Sequence, residues 1–149
     1  MRFLLPVAAL LMLSACASSG PLYRDAVKGY PPIAKDSGRL YLYREARSFA
    51  AGIQPSVMVD GRKVRDSVPG SYTMLDLAPG DHVVSVSTEV EKSVNVKILS
   101  KQETYVREAP TVGILIWRVY VEPVSKETAQ NELTELHEIN TPTVSEVKE

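Results

Sequence analysis

The sequence predicts a mainly β protein, an antiparallel β-sandwich of about seven strands followed by one C-terminal α-helix. Three observations lead to this prediction. From residue 39 onward apolar and polar side chains alternate with a period of two, which is typical of strands. Glycine, proline or polar turn residues interrupt the alternation about every ten residues, as in antiparallel sandwiches. A helical spacing of apolar residues comes late in the chain, over 125–139.

The first predicted strand, 39–45, is apolar on both faces, because Leu40 and Leu42 alternate with Tyr41 and Tyr43. Two apolar faces indicate a strand in the interior of a sheet. The other strands follow the same alternation or are rich in β-branched residues, and they are predicted at 56–64, 71–77, 78–88, 92–98, 103–109 and 111–124.

Two glycine turns indicate how neighbouring strands connect. Asp60-Gly61 can adopt the positive φ angles of a type I′ hairpin. Pro79 presets one turn position and Gly80 tolerates positive φ at the next, which suits a type II turn. Both turns therefore support the prediction of consecutive short strands.

The C-terminal segment 125–139 is predicted to be a helix that lies against the sheet or across one end of the sandwich. Ser125 can cap its N-terminus, and Glu127 suits the positive end of the helix dipole. A narrow apolar stripe would face the sheet, formed by Ala129, Leu133, Leu136 and Ile139. Residues 140–149 are predicted to be a disordered tail.

The N-terminal residues 1–15 are typical of a cleaved bacterial signal peptide. Arg2 supplies the positive charge, and the largely apolar run 3–13 is too short to span a bilayer. Leu13-Ser14-Ala15-Cys16 resembles the lipobox, in which two small residues lead to a cysteine that receives lipid. We predict lipidation of Cys16, which is the single cysteine of the chain.

Two alternatives to lipidation remain. Ala15-Cys16-Ala17 also suits an ordinary signal cleavage site, which would release a soluble periplasmic protein. A buried N-terminal helix with a chance cysteine is the other. With lipidation, residues 16–38 are predicted to be a flexible tether, and 39–139 the folded domain. An aspartate directly after the lipidated cysteine would resemble the signal for retention in the inner membrane, and this chain has Ala17 there. The predicted location is therefore the outer membrane, with the domain facing the periplasm or the cell surface.

In their order and spacing, the motifs of 39–122 resemble the bacterial family known as domain of unknown function 2846. They are an aromatic strand ending in Tyr-Arg, an Asp-Gly hairpin and a Pro-Gly-x-His turn, here Tyr43-Arg44, Asp60-Gly61 and Pro79-Gly80 with His82. The resemblance implies a small sandwich of transthyretin-like or immunoglobulin-like type, often found on exported lipoproteins. It implies no activity.

The sequence favours no catalytic, metal or cofactor site. His82 and His137 are the only histidines, and no metal-binding spacing includes them. We interpret His82 as a turn residue bonded to backbone and His137 as a helix-surface residue. Neither a nucleophile elbow nor a glycine-rich phosphate loop occurs. The net charge of −1, without a basic patch, argues against nucleic-acid binding.

A contact surface is predicted near the first strand, because aromatic residues and arginines are enriched at protein interfaces. Its residues would be Tyr41, Tyr43, Arg44, Arg47 and Phe49. The alternative is that both tyrosines are core or edge residues and the arginines are solvated. The loop 44–55 is longer than a tight hairpin needs, which is typical of functional loops.

These observations together predict a non-enzymatic lipoprotein that is anchored to the membrane and binds another envelope component, with an envelope protein as the expected partner. An alternative is a carrier of a small lipid or glycan in a pocket between the sheets. Two further alternatives are a secretion-system lipoprotein, such as the sandwich lipoprotein of type VI systems, and an envelope hydrolase.

Overall fold

The structure is a computed structural model, and it describes residues 20–46, 49–87, 91–112 and 117–139. Within these ranges the chain forms nine strands, two α-helices and one 3-10 turn. Their bounds are α1 (Tyr23–Ala26), the 3-10 turn (Val27–Gly29), β1 (Gly38–Arg44), β2 (Ser56–Val59), β3 (Arg62–Asp66), β4 (Ser71–Leu77), β5 (Gly80–Ser87), β6 (Glu91–Ile98), β7 (Glu103–Val112), β8 (Trp117–Val124), α2 (Lys126–Leu133) and β9 (His137–Glu138).

The strands form two sheets, which confirms the mainly β sandwich. One sheet has five strands in the order β8-β7-β1-β4-β9, and the other has four in the order β3-β2-β5-β6. The prediction that all strands are antiparallel is wrong for two pairs. β1 pairs with β7 in parallel, and so does β4 with β9. Parallel neighbours need a long crossover, and the whole four-stranded sheet lies in the chain between β1 and β7.

The central strand β1 is buried on both faces, as its two apolar faces predict. Leu40 and Leu42 belong to an aliphatic core between the sheets, together with valines of β2, β5 and β6. Tyr41 and Tyr43 face the other way, into a second cluster beneath the helices. We call this second cluster the tyrosine core; its buried members are Tyr23, Tyr41, Tyr43, Tyr72, Tyr105, Ala129, Leu133 and Leu136.

The segment predicted to be a flexible tether is folded from residue 20 onward. Tyr23 is only 6% exposed, and its ring lies edge-on to the rings of Tyr41 and Tyr72 at 5.9 and 5.4 Å. Its backbone N–H donates to the Leu136 carbonyl at 2.9 Å. The buried aromatic ring explains the difference from the prediction, since α1 and the 3-10 turn complete the tyrosine core.

The C-terminal helix is confirmed but is shorter than predicted. The Ser125 side chain caps it by accepting from Thr128 N–H, and Leu133 is fully buried. The helix ends at Leu133, and His137–Glu138 then forms β9. The segment after Leu133 pairs with the edge of β4 instead of continuing the helix, and His137 lies opposite Ser71 in that pairing. Residues 140–149 lie outside the described residues.

The two ends of the sandwich differ in how the strands connect. We call one end the turn end; it contains the Asp60-Gly61 hairpin and the start of β1 at Gly38. The φ angles of Asp60 and Gly61 are 51° and 78°, which confirms the predicted positive values. The loop end is where β1 ends at Arg44, opposite the start of β4 at Ser71.

Candidate functional site

Three of the five predicted contact residues lie in the interior. Tyr41 and Tyr43 are 0% exposed and Arg44 is 1% exposed. The predicted contact surface is therefore wrong for these three residues. The physical reason is the position of β1, which has a strand on either side and a packed layer on each face. Arg47 lies outside the described residues, and Phe49 is exposed.

The two buried tyrosines hold the helices to the five-stranded sheet. The Tyr43 hydroxyl donates to Glu132 Oε2 at 2.6 Å, which ties β1 to α2. The Tyr41 ring stacks on the Tyr105 ring at 5.1 Å with 10° between their planes. Burial raises the pKa of both β1 phenols. They stay neutral at physiological pH, as packing residues require.

Arg44 organises the loop that follows β1. Its Nη1 donates to the Ile53 carbonyl at 2.6 Å and to the Ser67 carbonyl at 2.7 Å, and its Nη2 donates to the Ala50 carbonyl at 2.8 Å. Ala50 itself has a φ of 57°, an unusual angle for a residue with a side chain. One guanidinium thus satisfies several loop carbonyls from inside the sandwich and fixes the path of residues 49–54.

A second buried arginine and one carboxylate lie beside Arg44. Arg65 Nε is 3.5 Å from Glu108 Oε1, and both side chains are fully buried. Burial lowers the pKa of Arg44 and of Arg65, and the negative charge of Glu108 opposes that effect. Arginine remains charged even so, because its unperturbed pKa is very high. Arg65 also donates to the Leu42 carbonyl and the Ser71 hydroxyl, so this cluster closes the interior at the loop end.

The loop held by Arg44 presents an exposed aromatic side chain. Phe49 and Trp117 are each 40% exposed, and their ring centroids are 5.3 Å apart. Val112, which pairs with Trp117 across the β7–β8 hairpin, is 71% exposed. We call Phe49, Val112 and Trp117 the aromatic patch. Contiguous exposed apolar side chains are typical of sites that bind a protein, a membrane or a ligand.

A pocket of about 160 Å³ adjoins the aromatic patch. Arg107 in its wall is already engaged, because its guanidinium contacts Glu122 Oε1 at 2.6 Å and Glu132 Oε1 at 2.5 Å. Ligand pockets are typically about 300–1,000 Å³, so this one suits a single inserted side chain or acyl segment. Its lining residues are Glu45, Phe49, Arg107, Ala109, Pro110 and Tyr120.

Both histidines have structural partners. His82 bonds through Nε2 to the Ala78 carbonyl at 2.9 Å, as predicted for a turn residue, and through Nδ1 to Asp60 Oδ2 at 2.6 Å. His137 is not on a helix surface as predicted; it lies on β9, with Nδ1 2.8 Å from the Gly20 carbonyl oxygen. Within the described ranges, no three His, Cys, Asp or Glu side chains are grouped to hold a metal ion.

The Asp60–His82 pair has shifted pKa values of opposite sign. Burial works against the charged form of each group, but hydrogen bonds outweigh it. The N–H of Val83, which donates to Asp60 Oδ1 at 2.9 Å, and the ring of His82 lower the pKa of Asp60. Asp60 and the Ala78 carbonyl raise the pKa of His82. The pair is thus a local clamp at the turn end.

The predicted lipidation site, Cys16, and the lipobox residues Leu13, Ser14 and Ala15 lie outside the described residues. Their assignment stays a prediction from the sequence. In the part of the chain that the structure describes, no helix is long and apolar enough to cross a bilayer.

Sequence reasoning missed Val112 and Trp117 as surface residues. Both belong to the apolar run 111–124, which is read most simply as two buried faces. In the structure Val112 ends β7 and Trp117 begins β8, so both residues lie at strand ends of the β7–β8 hairpin rather than within one strand. Arg65 and Glu108 were also missed, because charged residues are rarely buried and only the packing of the two sheets brings Arg65 of β3 to Glu108 of β7.

Comparisons with known proteins agree with the resemblance drawn from the motifs. The family model described as "Protein of unknown function (DUF2846)" matches residues 34–115. An uncharacterized protein of Haemophilus influenzae is 23% identical over 131 residues, covering 85% of this chain and 77% of that protein. No solved structure matches.

Proposed function

The chain belongs to the family described as "Protein of unknown function (DUF2846)", and we propose its role from its own residues. It is a non-enzymatic lipoprotein of the bacterial cell envelope that binds another envelope component. The lipid on Cys16 anchors it to the outer membrane. The domain faces the periplasm or the cell surface.

The observation that carries the binding role is the aromatic patch. Large aromatic side chains dominate binding energy at interfaces, because they bury much apolar surface at little entropic cost. Phe49 and Trp117 contact each other and remain 40% exposed. The buried guanidinium of Arg44 holds the Phe49 loop in place, so the surface is preorganised rather than formed on contact.

The anchoring role is supported by the lipobox and by the structure that follows it. Leu13-Ser14-Ala15 precede Cys16 in the order that lipoprotein processing requires. The folded chain is described from Gly20, four residues after that cysteine. Because one acyl chain anchors only marginally, stable attachment needs two or more acyl chains at this terminus.

The anchor is tested by expressing the chain with its leader and measuring the intact mass of the product, beside Cys16→Ala. We expect the wild-type product to start at Cys16, to carry fatty acyl mass and to float with membranes. A soluble wild-type product without acyl mass would contradict the proposal.

The binding surface is tested by photo-cross-linking in living cells from position 49. Position 99 is the matched control, because Leu99 is 42% exposed but follows β6 at the turn end. We expect a discrete adduct, to protein or to lipid, from position 49 and none from position 99. Equal labelling from both positions would count against the aromatic patch as the binding surface.

A further inference from the structure

The described chain begins at the end of the sandwich that carries the aromatic patch. The Gly20 carbonyl contacts His137 Nδ1 at 2.8 Å, and His137 pairs with Ser71, the first residue of β4. Ser71 in turn pairs with Arg44, where β1 ends at the loop end. Gly20 therefore lies within a few residues of the loop end.

Only a short chain separates that point from the predicted anchor. Four Cα-to-Cα steps lead from Cys16 to Gly20, and a fully extended chain of that length spans at most about 14 Å. A tether this short holds the loop end against the bilayer, since the domain cannot move away by its own diameter. Most of the predicted tether, residues 16–38, belongs to the folded segment that contains α1.

The aromatic patch is at this same end. β7 runs parallel to β1, with Arg107 level with Tyr43, so Val112 extends beyond the end of β1. Val112 is 71% exposed and pairs with Trp117, the single tryptophan of the chain. Tryptophan favours the interface between water and lipid, where its ring is buried and its N–H stays hydrated.

The turn end has a different character. Its corner is closed by the Asp60–His82 pair, and Lys35 and Ser100 hydrogen bond across it. Leu99 and Val83, which lies beside Asp60, are the exposed large apolar residues there among those the structure describes. The two ends thus differ in aromatic character, because Phe49 and Trp117 both lie at the loop end.

We propose that the aromatic patch inserts into the interfacial layer of the bilayer that carries the anchor, with the loop end toward the lipid. The occupant of the patch is a lipid surface. This inference rests on the proposed function for the anchor, but contact between the patch and lipid can be measured separately from acylation.

Trp117 makes the test specific, because all tryptophan fluorescence comes from the patch. The processed protein is reconstituted into vesicles of phosphatidylethanolamine and phosphatidylglycerol, with or without brominated acyl chains. We expect a blue shift on reconstitution and at least a two-fold quenching by the brominated lipid. The variant with Phe49→Asp and Val112→Asp should lose most of the quenching, while Leu99→Asp should keep it.

Flotation and intact mass, measured on the same samples, separate the two proposals. Acylated protein that floats with vesicles while Trp117 remains unquenched would overturn the insertion and leave the anchor standing. Absence of acylation would overturn the anchor, and quenching of the processed soluble protein by added vesicles would still support insertion. A concentration-dependent blue shift without lipid, with a dimer in sedimentation, would overturn insertion in favour of a second copy.

Discussion

The loop end and the turn end of this sandwich are stabilised in opposite ways. At the turn end the start of β1 packs closely against the segment that follows β6, because a Cβ added at Gly38 would lie 2.3 Å from the Leu99 carbonyl oxygen. At the loop end a buried side chain, Arg44, reaches out to hold loop carbonyls, and Gly52 in that loop has nothing within 4 Å of an added Cβ.

The difference teaches where the fold leaves freedom for function. Tight turns close one end at little cost in chain length, and they leave few side chains to vary. A loop held by a single internal guanidinium can vary in sequence as long as its carbonyls reach the same donors. The exposed aromatic side chains are found at the loop end, which is consistent with functional residues lying on loops supported by a rigid scaffold.

The largest expected effect comes from removing the internal support of the loop end. Arg44→Ala removes the side-chain donor to the carbonyls of Ala50, Ile53 and Ser67. It also removes one of the two positive charges near the buried Glu108 carboxylate. We expect a loss of about 3–5 kcal/mol in unfolding free energy, as for other broken buried charge clusters. Urea denaturation measures it, with the exposed Lys92→Ala as the neutral control.

The same variant also reports on the aromatic patch. If the Phe49 loop depends on Arg44, the fluorescence of Trp117 in the folded variant shifts to the red as the contact between the two rings loosens. A variant that loses less than about 1 kcal/mol and keeps the wild-type spectrum would show that the loop is held by other contacts.

A smaller loss is expected from crowding the backbone at the turn end. Gly38→Ala places a Cβ 2.3 Å from the Leu99 carbonyl and 2.6 Å from Ile98 Cγ2, so β1 or β6 must move. Overpacking of this kind costs about 1–3 kcal/mol. Gly52→Ala at the loop end is the matched substitution and should leave the denaturation midpoint unchanged. Equal effects of both substitutions would remove the contrast between the ends.

The smallest effect concerns the pH dependence of the Asp60–His82 clamp. The folded pKa of His82 is raised, so its contribution is full below the unfolded value of 6.5 and is lost as pH rises through the folded value. The folded pKa of Asp60 is lowered, so its contribution is present above 3.8 and is lost as pH falls through the folded value. The clamp is therefore strongest between these pKa values.

Asp60→Asn should reduce this dependence, because it removes one of the groups that raise the pKa of His82. Because the Asp60 side chain is 48% exposed, solvent screens the pair, and we expect a difference of about 0.5 kcal/mol from wild type at mildly acidic pH, shrinking toward zero at alkaline pH. Titration of the His82 ring by NMR gives the matching observation, a lower pKa in the variant. An unchanged His82 pKa would mean that the Ala78 carbonyl, rather than Asp60, sets it.

Local features of the fold could be predicted from the sequence, and long-range ones could not. The alternation of Leu40 and Leu42 with Tyr41 and Tyr43 predicts a buried interior strand, and Asp60-Gly61 predicts its hairpin. Neither pattern indicates which strands lie next to β1 in the sheet. The parallel partnership of β1 with β7 therefore appears only in the structure.

Of the predicted contact residues, Phe49 is exposed, whereas Tyr41, Tyr43 and Arg44 are buried. Phe49 and the length of 44–55 indicated the surface, but Arg44 looked like a contact residue because arginine is rarely buried. Alternation places Arg44 on the same face as Leu42, which was a usable signal. The sequence does not show that three carbonyls and the Glu108 carboxylate surround the Arg44 guanidinium and stabilise its buried charge.

The position of β1 has a consequence for the order in which the chain folds. It is the first strand to be synthesised and the central strand of its sheet, yet its neighbours β4 and β7 begin only at Ser71 and Glu103. β4 can pair with β1 as soon as Leu77 is synthesised, but the edge of β1 that faces β7 stays open until Glu103–Val112 exists. The five-stranded sheet is therefore completed late, and an open strand edge is a site of unwanted pairing until then.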